Sequence, residues 1–407
     1  MAWVRMLEPS RNGAGILSGH CDMPFDSDAR ASPIVLLVPD IADPITHNRA
    51  ESFAEAGHSV SIMGFRRNRF RREDPPGGPH VTLGDTSDAR YLQRFRALLG
   101  ALPHLAANYT TLRKAEAIYA RNVDQLALAL LVRHVLLARA EIIYEVLDIQ
   151  PLQVGRGPIA RALRLIERIC LRHVRLLVVS SPAFHANYFE RVQRYRGRWF
   201  LLENKLPTSI AAGATRRRQA VARAERRSDR WVIGYFGLIR GQATIDLIVR
   251  LAQQLRDVAE FRFAGIVTSV DPDSFRRAVE ENENIGYEGE YAKPADLARL
   301  YGGVDLAWAV DLENVDANSR WLMPCRFYEA GYFGVPCVSA SGFEISRIIE
   351  DLDCGWTVDA PYETALVRFL RNLTIERYVE KQHRLAALPD STFVASIGAD
   401  GLSRILR

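Results

Sequence analysis

The sequence predicts an α/β protein built from two doubly wound parallel sheets, one in each half. Three observations carry that expectation. Apolar runs of strand length alternate with helix-periodic stretches from Pro33 onward, the pattern of successive βα units. The alternation breaks once, at Leu206–Arg230, an Arg-rich stretch with little patterned apolar content that reads as an interdomain linker. No repeat of 20–50 residues is evident, which excludes solenoids and propellers.

Each element follows in order. Residues 1–31 lack periodicity and read as a loose leader kept out of the fold. The run Ile34–Val38 ends at Pro39-Asp40, a helix covers Ile45–Ala56, Gly57 closes it, and Ser59–Met63 is the next strand. Ala115–Ala120, a helical stretch to about Arg139, and Ile142–Leu147 ending at Asp148 continue the pattern. A basic amphipathic helix over Pro158–His173 leads to strands Leu176–Val179 and Trp199–Leu202, completing an N-terminal domain over residues 32–205. After the linker at 206–230, strands are expected at Trp231–Phe236, Glu260–Ala264, Val304–Ala309, Val335–Ser339 and Gly355–Val358. Helices are expected at Thr244–Arg256, Pro272–Glu281, Pro294–Tyr301, Cys325–Phe333 and Glu344–Leu352. These define a second domain over 231–385, followed by a helical segment, 386–407, expected to pack back on the first.

The length of 407 residues, with 48% hydrophobic and 25% charged side chains, excludes a disordered chain and allows sizeable cores. No apolar run approaches the roughly 20 residues of a spanning helix, and Met1–Ser32 lacks a signal-peptide pattern, so a cytoplasmic location is expected. Five scattered cysteines without a C-x-x-C pair argue against a disulfide framework or a thiolate metal site. The net charge of +5 hides a split. Residues 1–205 carry 28 Lys+Arg against 20 Asp+Glu, or +8, and residues 206–407 carry 25 against 28, or −3. The basic half is expected to meet an anionic surface. Nucleic acid is disfavoured, because no aromatic-interleaved motif accompanies the arginines.

In open parallel sheets ligands lie beyond the carboxyl ends of the strands. Phe236-Gly237-Leu238-Ile239-Arg240-Gly241-Gln242 there combines glycine for close backbone approach with Arg240 and a helix N-terminus, a combination suited to phosphate. It matches neither G-x-G-x-x-G nor the P-loop. Downstream lies Asp305–Asp311, then Asn318-Ser319-Arg320-Trp321-Leu322-Met323-Pro324-Cys325-Arg326-Phe327-Tyr328-Glu329-Ala330-Gly331, closing in Gly334-Val335-Pro336.

This arrangement resembles the nucleotide-sugar site of GT-B glycosyltransferases over about residues 33–385. The resemblance implies two Rossmann-like domains facing each other across a cleft. It implies that Glu329 accepts ribose hydroxyls, that Asn318, Ser319, Arg326 and Tyr328 line the donor pocket, and that Gly237 and Arg240 meet the diphosphate. Retaining members usually carry a second Glu eight positions earlier, where this chain has Trp321, so inversion is favoured. The order of Pro39–Asp43, Gly64–Arg67, Ala120–Asp124, Tyr144–Ile149, Ser180–Phe184 and Leu202–Asn204 is similar to bacterial exopolysaccharide glycosyltransferases of the succinoglycan type. That likeness implies transfer of glucose from a UDP donor to a polyprenyl-diphosphate-linked oligosaccharide at the cytoplasmic face of the inner membrane.

An inverting transfer needs a carboxylate to take the acceptor proton. Asp148, ending a strand where burial would raise its basicity, is the first candidate, and Asp40 and Asp43 are the rival pair; His47 and His185 are further possible bases. Asp271-Pro-Asp273 reads as a helix cap and Asp351-Leu-Asp353 lies away from the expected cleft, so metal-independent chemistry without a cofactor is expected, the UDP-sugar being a co-substrate. Arg66, Arg67, Arg69, Arg71 and Arg72, with Arg161, Arg164 and Arg168 on the amphipathic helix, are expected to face the anionic membrane and the lipid-linked acceptor. Two rivals stand beside this reading: a nucleotide-sugar epimerase on the same architecture, and a noncatalytic partner in a polysaccharide assembly complex.

Overall fold

The computed structural model describes residues 16–17, 32–67, 80–86, 91–136, 139–208 and 230–395. They divide into two compact units, the first ending at Leu202 and the second starting at Glu203.

The first unit is an eight-stranded, wholly parallel sheet: β1 (Ile16–Leu17), β2 (Pro33–Val38), β3 (Ser59–Arg66), β4 (His80–Asp85), β5 (Ala117–Arg121), β6 (Glu141–Val146), β7 (Leu176–Val179) and β8 (Trp199–Leu201). Their spatial order is β1-β8-β7-β6-β5-β2-β3-β4. Ile34–Val38 and Ile142–Val146 are buried throughout, as expected of central parallel strands covered on both faces. Leu36 faces Ile62 on one side and Tyr119 on the other, which sets the register of the centre. The helix Pro44–Glu55 starts where Asp43 accepts the Ile45 N–H at 2.9 Å and Pro44 supplies a preset φ. Successive connections run one way from β2 to β4 and the other way from β5 to β8, so the strand order reverses between β2 and β5.

β4 and the helices Tyr91–Ala107 and Tyr109–Lys114 are additional to the elements expected from the sequence. β4, His-Val-Thr-Leu-Gly-Asp, buries only Leu83 and so lacks an apolar run. Ile16–Leu17, expected in a leader outside the fold, pairs parallel with Trp199 and Phe200.

The second unit carries six parallel strands: β9 (Trp231–Ile239), β10 (Ala259–Val267), β11 (Ile285–Tyr287), β12 (Leu306–Trp308), β13 (Cys337–Ala340) and β14 (Gly355–Val358), in the order β11-β10-β9-β12-β13-β14. Here the order reverses between β9 and β12. Gly237 and Gly265 sit opposite each other at φ +111° and +133°, and a Cβ on Gly265 would lie 1.9 Å from the Gly237 carbonyl oxygen. Only glycine allows the long β9 and β10 to stay paired through this point. The short β11 was not foreseen, nor were the helices Tyr362–Asn372 and Ile375–Ala387.

Leu206, expected to open the linker, is buried in the core of the second unit and bridges Val394. Residues 209–229 of that linker lie outside the described residues. At the other end Phe393 packs 5.9 Å from the Phe327 ring and against Gly331, so the chain up to 395 belongs to the second unit. The expected return to the first unit concerns residues 396–407, outside those described.

Candidate functional site

The carboxyl edge of each sheet gathers a polar cluster where the strand order reverses, the position at which open α/β sheets offer a crevice. In the second unit, β9 delivers Arg240 and β12 is followed by Asp311. Arg240 donates from Nε and Nη2 to Asp311 Oδ2 at 2.9 and 2.8 Å, and Glu313 lies 3.4 Å away. Burial alone would raise the Asp311 pKa; the Arg240 guanidinium, the Glu313 N–H and Arg326 together outweigh it and hold the carboxyl below its ordinary range. Gly241, at φ +81°, caps the helix Gln242–Gln254, whose N-terminus therefore opens beside Arg240. Tyr235 buttresses this turn, its hydroxyl 3.3 Å from both the amide and the carbonyl of Arg240. The guanidinium of Arg326 stacks 4.1 Å from the Tyr235 ring centroid and donates to the Trp308 carbonyl at 3.2 Å.

Glu329 lies one turn beyond Arg326 on the helix Cys325–Tyr332 and is almost fully buried. Its Oε1 accepts from Lys293 Nζ at 2.5 Å and its Oε2 from the Tyr301 hydroxyl at 2.9 Å. Burial would lower the Lys293 pKa, but the Glu329 carboxylate raises it. A carboxylate has about four acceptor positions, so two donors leave Glu329 capacity for a diol. Asn318 and Ser319 are buried at the start of the short helix Asn318–Trp321, with Ser319 Oγ accepting the Asn314 N–H at 3.1 Å. Tyr328, also expected to line the donor pocket, is buried and donates to Glu203 at 2.8 Å, fastening the helix to the segment entering the unit. Gly237 is two residues inside β9. The structure thus assembles Arg240, Arg326, Glu329, Asn318 and Ser319 on elements at one edge, and adds Lys293, Tyr301 and Asp311. Lys293 had a faint sequence signal: it is one of only four lysines among 53 basic residues, next to a proline.

At the edge of the first sheet, Asp40 and Asp43 follow β2, Arg121 ends β5, and Glu145 lies near the end of β6. Arg121 donates to Glu145 at 2.9 Å, Asp43 at 3.1 Å and the Thr46 hydroxyl at 3.0 Å, and Arg49 donates to the other Glu145 oxygen at 2.8 Å. Burial would raise the Glu145 pKa; Arg49 and Arg121 reverse this and hold it at about 2. Asp40 is different. It is 3% exposed, its Oδ1 accepts the Ala42 N–H at 3.0 Å, and its Oδ2 has no hydrogen-bond partner. Burial, aided by the charge of Asp43, raises its pKa, and the N–H groups of Ala42 and Arg67 with the Arg67 charge offset this only in part. The ion cluster was legible only as separate segments, because Arg49, Arg121 and Glu145 are 24 or more residues apart in the chain.

Several expected site residues stand elsewhere. Asp148 is exposed, so the burial that was to make it basic is absent. Arg164 turns inward to the carbonyls of Gln153 and Gly155 at 2.8 and 2.6 Å, and Arg168 to those of Val192 and Gln193 at 2.7 and 3.2 Å, so neither presents its charge to a surface partner. Arg161 is exposed, as is Arg66, while Arg67 lies 3.4 Å from the Thr86 hydroxyl. Arg69, Arg71 and Arg72 lie outside the described residues. His47 is buried with Nε2 2.7 Å from the Ile41 carbonyl, and His185 stacks on Trp199 at 4.0 Å, burial pushing its pKa down to about 4. Asp271 caps its helix through the Ser274 N–H, and Asp353 pairs with Lys381 and Arg384.

Two wholly parallel sheets of Rossmann type, each with a polar cluster at its switch point, make up the GT-B fold. Solved structures bear this fold out. The chain is similar to a sucrose-phosphate synthase from Thermosynechococcus elongatus, with a TM-score of 0.69, 15% identity and coverage of 92% of this chain and 98% of that one. It is similar to Anabaena Alr3699/HepE in complex with UDP-glucose, with a TM-score of 0.65, 14% identity and coverage of 91% and 98%. It is also similar to WaaG, a glycosyltransferase involved in lipopolysaccharide biosynthesis, with a TM-score of 0.62, 12% identity and coverage of 91% and 99%. No family model matches the chain. It is 30% identical over 361 residues to the succinoglycan biosynthesis protein ExoL of Rhizobium meliloti (strain 1021), spanning 89% of each, and belongs to the family of that protein.

Proposed function

We propose that the protein is a hexosyltransferase of exopolysaccharide synthesis that moves glucose from UDP-glucose to a polyprenyl-diphosphate-linked oligosaccharide with inversion. The observation that carries this reading is the buried Glu329 at the switch point of the second sheet, beside Arg326 and the Arg240 turn. Two further facts support it: the ExoL relative is named for succinoglycan biosynthesis, and the HepE structure holds UDP-glucose.

Glu329 accepts the ribose diol through charge-assisted hydrogen bonds while Lys293 and Tyr301 fix its carboxylate. The diphosphate takes the helix N-terminus at Gly241 together with Arg240, which exchanges its bond to Asp311 for the phosphate oxygens. As UDP departs, Arg240, Arg326 and the helix dipole stabilise the growing negative charge without a metal. Asp40 takes the acceptor proton. Its raised pKa makes it a better base than a solvated aspartate, and its unpartnered oxygen has a vacant acceptor position. The Arg121–Asp43 pair and the Ala42 N–H hold the loop that carries it. Trp321 in place of the first glutamate of retaining relatives accords with a single displacement.

The test is UDP release from UDP-glucose by the purified protein with membrane lipid extract, with and without EDTA. Lipid-dependent, EDTA-resistant release that falls in Glu329→Ala and Asp40→Asn but persists in Asp148→Asn supports the reading. UDP binding without release supports the noncatalytic rival, and conversion of the UDP-sugar into its epimer without net UDP release or a lipid acceptor supports the epimerase.

A further inference from the structure

The helix Pro158–Leu171 is built inside out. Its only acid, Glu167, is fully buried, where Tyr144 and Gln153 donate to Oε1 at 2.8 and 3.1 Å and Gln193 and Tyr188 donate to Oε2, with Gln193 at 2.6 Å. Arg164 and Arg168 face inward to backbone carbonyls, as described above. Ile159, Leu165, Ile166 and Ile169 instead point to solvent, between 48% and 70% exposed, and their spacing places them on one stripe. Leaving four large aliphatic side chains in water forgoes the free energy of burying them, and a contiguous apolar stripe of this kind is the mark of a surface that is covered in use.

The stripe is not isolated. The helices Tyr91–Ala107, Asn122–Val135 and Pro158–Leu171 pack side by side, and the first two add exposed Leu99, Leu102, Leu131 and Val135. Eight of the ten large hydrophobic side chains that are exposed among the described residues lie on these three helices. Asp124 and the buried Glu167 are the only acids in the three segments, whereas Arg96 and Arg161, and Arg172 just past the third helix, are exposed. A second copy of the same surface would meet this one with cation against cation. An anionic lipid leaflet would meet it with complementary charge and accept the aliphatic side chains below the headgroups.

We propose that this three-helix face is an interfacial membrane-docking surface that inserts Ile159, Leu165, Ile166 and Ile169 into an anionic leaflet. It deepens the lipid-linked acceptor reading, but its test uses no sugar donor and so fails or stands separately. The full-length protein is sedimented with phosphatidylglycerol vesicles and with phosphatidylcholine vesicles, and its mass in solution is measured by light scattering. The expected result is binding to phosphatidylglycerol that survives moderate salt. Partition falls about tenfold or more in the Ile159→Ser, Leu165→Ser, Ile166→Ser, Ile169→Ser quadruple variant and severalfold in the single Ile159→Asp variant. Because every altered side chain is at least half exposed or nearly so, an unchanged circular dichroism melt is expected in both. Arg161→Glu with Arg172→Glu is expected to remove the preference for the anionic lipid. The proposal is overturned if the wild type ignores both vesicle types, if both apolar variants bind as the wild type does, which would leave only a basic patch for any polyanion, or if the wild type is a stable dimer that the quadruple variant splits.

Discussion

The two switch points hold the same kinds of side chain in opposite states. In the second sheet the buried acids are compensated, Asp311 by Arg240 and Glu329 by Lys293 and Tyr301. In the first sheet Glu145 is held by two arginines, yet Asp40 nearby keeps an oxygen without a partner inside the protein. A compensated cluster is stable and waits for a charged ligand to exchange partners. A carboxylate whose burial is only partly offset, as that of Asp40 is by the Ala42 and Arg67 N–H groups, is costly at neutral pH and holds a proton more readily. On the proposed function, this difference would set a donor-binding edge apart from a catalytic one.

The comparison breaks most visibly at Glu145. Glu145→Ala leaves Arg121 and Arg49 buried without their counter-charge and is expected to cost about 3–5 kcal/mol, read from the urea unfolding midpoint. Asp40→Asn should lower turnover by about 10²–10⁴ while UDP affinity, measured calorimetrically, stays within error. The same variant should be more stable than the wild type at pH 7, because a carboxylate raised in the folded state binds its proton more tightly there, so ionising it opposes folding. The pH dependence sharpens the contrast. Glu145, lowered to about 2 from an ordinary 4.5, contributes stability that is complete above pH 4.5 and lost as pH falls through 2, and Glu145→Gln should flatten that limb of the curve. At the second edge, Glu329→Gln should weaken UDP-glucose binding by about tenfold, since a neutral amide makes no charge-assisted bond to the ribose. Tyr328→Phe, which removes only the bond to Glu203, should cost about 1 kcal/mol and leave binding unchanged.

The strands that carry these edges were legible because each central parallel strand is a continuous apolar run, as in Ile34–Val38 and Leu176–Val179. β4 and β11 were not, because edge strands bury one face or less and leave no such run; β11, Ile285–Tyr287, buries Ile285 alone. At the site, Arg240 could be named because it lies between a strand and a helix, whereas Arg326 and Glu329 were implied by the resemblance to the nucleotide-sugar site. The burial expected of Asp148 is absent for a physical reason: the run that ends in it predicts a strand terminus but says nothing about how far the next loop shields it.

The sequence by itself determined the alternation of strands and helices, the split into two sheets and the basic first half, which rest on local periodicity and composition, and the family likeness, which rests on the order of its motifs. Only the tertiary structure decided the charge states and directions of the polar side chains. It joined Arg49, Arg121 and Glu145 across three elements, left Asp40 half-satisfied, and turned the Pro158–Leu171 helix so that its glutamate is buried and its isoleucines face outward. A periodic stripe shows that a helix has two faces; which face turns inward depends on the partners waiting there, and for Glu167 those partners are Tyr144, Gln153, Tyr188 and Gln193, contributed by four other elements of the fold.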